Sequence, residues 1–194
     1  MTIPIVLLII TSALSMNLLL QCGLGIQGIT AIGSLNKKTV FIKLGIVFFA
    51  IIILWVIFAK IISLMITGVF LYVMLFPISI IVHDGLEFLV SLYLQKKLTK
   101  ECPVSFSYGI TPAALFICLN IANNFIEVVF LSFGFTVGTL LVFFILEEIS
   151  RRAALEAVPR FLRGKPLTII SMGLLSLIFS TASILLFRMI TEAG

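Results

Sequence analysis

Six stretches of this chain are apolar for about as long as an α-helix needs to cross a bilayer, and only short polar loops separate them. They run from about Ile3 to Gln21, Thr39 to Ala59, Leu71 to just before Lys96-Lys97, Val104 to Ile121, Phe125 to Leu146, and Leu167 to Phe187. A spanning helix takes roughly 20 apolar residues. A short apolar piece after Lys60 reads as interfacial. Water cannot be the solvent for all six: 61% of the 194 residues are hydrophobic and 11% are charged, against roughly 25% charged in soluble domains. The reading is an all-α integral membrane protein in a single six-helix domain. The N-terminal stretch lacks a positive flank and continues into Asn17 and Gln21, so it reads as a retained helix and not as a cleaved signal.

Charge sets the expected orientation. Lys37 and Lys38 follow the first segment, Lys96, Lys97 and Lys100 the third, and Arg151, Arg152, Arg160, Arg163 and Lys165 the fifth. Basic loops stay in the cytoplasm, which puts both termini outside. The net charge of +5 then describes loops and calls for no nucleic-acid partner. Three cysteines without paired spacing (Cys22, Cys102, Cys118) give no disulfide framework. One histidine, His83, excludes a multi-histidine metal or haem site within the chain.

One phrase occurs twice. Gln27-Gly28-Ile29-Thr30-Ala31 returns as Tyr108-Gly109-Ile110-Thr111-Pro112-Ala113, each beside the first helix of a three-helix half, and those two helices cross in opposite senses. The expectation is two inverted three-helix repeats, about 1–97 and 98–194, with the first helix of each half broken at the phrase. Gly23, Gly25 and Gly28, and Gly109 with Pro112, are the residues of such breaks; they are equally the residues of close helix packing. Thr30 and Thr111 would satisfy freed backbone groups or offer oxygen to an ion.

The last third resembles a known family. Val158-Pro159 with Arg163-Gly164 is similar to its V-P-x-x-x-R-G loop, and Ile170 to Phe179 to the start of its last helix. The family comprises the related six-helix subunits of the Rnf complex and of the sodium-pumping NADH:quinone reductase. The chain is most similar to the A-type member in Rnf and the E-type member in the quinone reductase. Length, six segments and inverted halves agree with it. The resemblance implies a component of an ion-translocating electron-transport complex in the bacterial inner membrane. Such a component is not an enzyme by itself. It packs antiparallel against a homologous partner and leans on other subunits that carry flavin and iron–sulfur centres. Each family member supplies two cysteines to an intramembrane iron–sulfur cluster. This chain departs there: Gly28 (or Gln27) and Gly109 fall at the cysteine positions. A second register makes Cys22 the first ligand and leaves it without a partner. A non-redox transporter or a structural subunit is the alternative from another class.

Asp84 and Glu87, three apart, are the remaining candidates for an ion pathway. Acids inside a crossing face a cavity or a partner; if the third helix ended at His83, they would instead lie in the interface. Cys22 and Cys118 also read as small hydrophobes, and Glu147, Glu148, Arg151 and Arg152 as a salt-bridged helix end.

Overall fold

A computed structural model describes residues 5–14, 17, 20, 37–59, 69–94, 105–155, 159 and 164–193. Six helices make up nearly all of that, and the described residues contain no strand. They are α1 (Ile5–Leu14), α2 (Lys37–Ile57), α3 (Val69–Leu94), α4 (Ser105–Ile121), α5 (Phe125–Leu155) and α6 (Lys165–Ala193). Four of them, α2, α3, α5 and α6, are long and apolar enough to span a membrane. In α4 the apolar part is shorter, Gly109–Ile121. This is a multi-pass membrane architecture.

Lipid decides the secondary structure. Ile51-Ile52-Ile53 within α2 would favour a strand in water. In hydrocarbon every backbone group has to be satisfied within its own segment, so the same residues become helix. Burial confirms the solvent. On α3 the buried stripe is Leu75, Ser79, His83 and Glu87, while Phe76, Ile81, Phe88, Leu89 and Leu92 lie exposed. On α6, Thr168, Ser171 and Ser183 are buried beside Met172 and Phe179, while Ile169, Leu174, Leu177, Ile178 and Leu185 are exposed. An outward face dominated by aliphatic side chains, with Thr181 returning its hydroxyl to the α6 backbone, is arranged for lipid.

The core sits among α2, α4 and α5. Leu44, Ala50, Ile51, Leu54, Ala114, Leu115, Cys118, Val128, Leu131, Val142 and Leu146 are almost wholly buried there. Helix α1 packs chiefly on α5 through a small-residue seam. A Cβ on Gly134 would run into the Ser12 hydroxyl and lie 2.8 Å from the Ile9 carbonyl oxygen; one on Gly138 would run into the Ala13 carbonyl oxygen. Gly134-x-x-x-Gly138 is the spacing that lets two backbones meet in membranes.

Contacts between helix ends show that α2 runs antiparallel to α5, and α3 to α4. Trp55 and Phe125 lie 6.4 Å apart between ring centres, joining the end of α2 to the start of α5. The Tyr72 hydroxyl donates to Asn120 Oδ1 at 3.3 Å, joining the start of α3 to the end of α4. The packed pairs come in matching sets: α1 with α5 and α4 with α2; α2 with α3 and α5 with α6; α3 with α4 and α6 with α1. Exchanging the two halves maps each pair onto its mate and leaves the central pair, α2 with α5, in place. The pair α4 with α5 has no mate of similar extent among the described residues.

The second expected break is corrected. Gly109, Ile110, Thr111 and Pro112 lie inside the uninterrupted helix α4. Pro112 removes one donor from the Tyr108 carbonyl, and a packed membrane helix absorbs that loss. The first phrase, with Gly28 and Thr30, lies outside the described residues, as do Cys22, Cys102 and the apolar piece after Lys60. Helix α5 also runs to Leu155, further than its apolar stretch. Its last turns carry Glu148, which pairs with Arg151 at 3.0 Å and Arg152 at 2.8 Å.

Two helix starts follow from local chemistry. Ahead of α5 the Asn123 backbone N–H donates to Glu127 Oε2 at 2.8 Å, and Asn124 Nδ2 donates to Glu127 Oε1 at 3.3 Å, a relative of the capping box. Ahead of α6, Gly164 has φ +85°, where a Cβ is unfavourable. Its carbonyl accepts from the Thr168 N–H at 3.2 Å and from the Thr168 hydroxyl at 3.1 Å.

Candidate functional site: a buried ionisable cluster between α2 and α3

The polar stripe of α3 ends in charge. His83 and Glu87 are one turn apart on the buried face, with Nε2 3.8 Å from Oε2. Lys43 reaches them from α2, its Nζ 3.5 Å from Glu87 Oε1. Lys43 and His83 are each 1% exposed and Glu87 is 7% exposed. The ion pair lacks a hydrogen bond: Lys43 Nζ and Glu87 Oε1 are both buried without a hydrogen-bond partner among the described residues. Desolvating each ion costs several kcal/mol, and such a pair repays that only with good geometry and further hydrogen bonds. A loosely closed buried pair is therefore a poor stabilising device.

The cluster lies toward one end of two candidate membrane spans, Val40–Ile57 and Tyr72–Tyr93. Lys43 stands six residues into α2 and Glu87 seven before the end of α3. At 1.5 Å per residue, both are roughly 10 Å from the same end of the bundle. Continuity of α3 through Leu94 puts Glu87 within the helix, and the alternative of a helix ending at His83 falls away. Ser79, one turn before His83, is also buried, and its hydroxyl donates to the Phe76 carbonyl at 2.7 Å.

The other expected residues fall elsewhere. Asp84 is exposed; the 100° step between successive residues turns it away from the stripe that His83 and Glu87 share. Thr111 is buried at 1% exposure within α4. Gly109 is half-buried in the same helix and offers no thiolate. Cys118 is wholly buried in the apolar core. Among the described residues no three His, Cys, Asp or Glu side chains gather as a metal site. Iron–sulfur clusters need a set of thiolates, and the described residues do not fit one.

Lys43 is the residue that sequence reasoning passes over. It stands five residues after Lys38, and a lysine near a helix end ordinarily snorkels to the interface. The signal that finds it is its isolation, as the lone charge from Val40 to Ile57. No protein-family model matches the chain, and no curated protein matches it.

Proposed function

We propose that the chain is the ion-carrying membrane subunit of a redox-driven translocase of the Rnf and sodium-pumping quinone reductase kind. The observation that carries the ion half is the Lys43–Glu87 pair with His83, buried inside the crossing. Ionisable groups at such depth mark ion or proton routes. The redox setting rests on the Val158-Pro159 and Arg163-Gly164 loop, on Ile170 to Phe179, and on the six-helix plan. The matching helix pairs of the two halves support it as well. On this reading the complex's flavin and iron–sulfur centres sit on partner subunits, an antiparallel homologue among its membrane neighbours. No electron step is assigned to this chain's own residues.

The test is donor-driven ion uptake in inverted membrane vesicles holding the chain with its native partners. Glu87→Gln is expected to lower uptake at least tenfold, and Glu148→Gln, at the exposed end of α5, to leave it near wild type. Uptake at wild-type rate without any electron donor would sink the redox setting and favour the non-redox transporter. Undiminished uptake in Glu87→Gln would remove the ion route from this cluster.

A further inference from the structure

Beyond the ion-carrying reading, and independent of it, we infer that the outward face of α3 around Asp84 and Gly85 seats a transmembrane helix of a different subunit, one that brings a lysine or arginine to half-depth. Position is the first reason. Asp84 is the thirteenth of the 22 residues from Tyr72 to Tyr93, which puts it near the middle of that span. It is exposed, and so are Ile81 and Phe88, one turn before and one turn after it. A charged side chain at such depth faces a bundle interior, a water-filled cavity or a partner group, and not lipid. Of this span 22% is buried inside the protein, against 50% in those of α2 and α5, so α3 is a wall with room for a neighbour.

Hydrogen-bond chemistry is the second reason. Hydroxyls near the outer surface donate to their own helix: Ser91 to the Phe88 carbonyl at 2.8 Å, and Thr181 to the Leu177 carbonyl at 3.0 Å. A carboxylate only accepts. Within a helix each backbone N–H is already given to the carbonyl four residues back, so the N–H groups of α3 around Asp84 are spent. Lys43, the cation that α2 brings to this helix, is 3.5 Å from Glu87 on the buried face. An ammonium or guanidinium on a neighbouring helix supplies both the donors and the counter-charge that the outer face calls for.

The adjacent glycine is the third reason. A Cβ built on Gly85 meets nothing within 4 Å, so the described packing of this chain does not require a glycine there, and glycine weakens a helix interior relative to alanine. Membrane helices use small residues to let two backbones approach closely. Gly85 admits the neighbour and Asp84 holds it. A second copy of this chain fits the face poorly, because a twofold contact repeats the same patch on both sides and would set Asp84 against Asp84.

The experiment uses the full chain in liposomes and, as probes, two dansyl-labelled leucine–alanine helices of about 20 residues, identical except for lysine or leucine at the midpoint. Trp55, the one tryptophan of the chain, is the fluorescence donor. The lysine helix is expected to bind the wild type at least tenfold more tightly than the leucine helix. Asp84→Leu should abolish that preference, and Gly85→Leu should weaken the lysine helix at least threefold with unfolding free energy unchanged. Equal binding of the two helices to the wild type, or a preference that survives Asp84→Leu, would overturn the inference. In the complex purified with its native partners, a spin label at Ile81 is expected to lose at least threefold in oxygen accessibility relative to the chain alone, while a label at Leu185 on α6 keeps its value. An Ile81 label equally accessible in both, or self-association of the chain that Asp84→Leu abolishes, would likewise overturn it.

Discussion

Lys43 and Glu87 are individually expensive inside a bilayer and tolerable only together. Truncating one member of a buried pair strands the other, at about 3–5 kcal/mol. Lys43→Met and Glu87→Gln, each alone, are therefore expected to destabilise the protein by about 3 kcal/mol in reversible unfolding from micelles. The double variant should recover most of that loss, since two neutral groups leave no stranded charge. Additive losses in the double variant would show that the two side chains do not depend on each other. The sequence makes half of this site legible. Glu87 stands out as an acid within an apolar segment. Its partner across the helix pair does not, because contact between α2 and α3 is a tertiary fact, and Lys43 stands only five residues after Lys38. The spacing of Asp84 and Glu87 also suggests the wrong pair. Once one face of α3 is fixed by packing, the four-residue step from His83 to Glu87 stays on it and Asp84 turns outward.

Among the helices, the α1–α5 seam and the helix starts carry the most specific demands. Gly138→Ala has to push the Ala13 backbone away, and overpacking of this kind costs typically 1–3 kcal/mol. Gly173→Ala on α6 meets nothing within 4 Å, so it is expected to be neutral or to gain up to about 1 kcal/mol from helix propensity. Equal unfolding free energies for the two variants would refute the seam. At the start of α5, Glu127→Ala removes the acceptor for the Asn123 N–H and is expected to cost about 1 kcal/mol, the usual scale for a lost cap. Segment positions were readable from hydropathy because lipid leaves the backbone no choice but helix. The state of Gly109 to Pro112 was not. Glycine and proline break a helix or sit within it according to what packs around them, and Ile110, Thr111, Ala114 and Leu115 are all buried.

Across the whole molecule, the burial pattern makes a claim about surroundings that spectroscopy can read. Single spin labels stepped along α3 are expected to show oxygen accessibility with a helical period, lowest at Ser79, His83 and Glu87 and highest near Ile81 and Leu89. A flat or inverted profile would mean that α3 does not face lipid as drawn. The six-crossing reading predicts that the two ends of the chain lie on the same side, so reporters fused to each end should agree; opposite sides would require an odd number of crossings. The pairing of helices constrains manufacture too. The main partner of α1 is α5, about 120 residues further along the chain, and a ribosome adding roughly 5–20 residues per second needs on the order of ten seconds to reach it. For that interval the first helix waits in the bilayer with Ser12 and the backbone around Ala13 uncovered, until the glycines of α5 arrive to close over them. Assembly therefore has its slowest appointment at its first segment, and a chain released early, before Gly134 is made, leaves the seam of α1 without its mate.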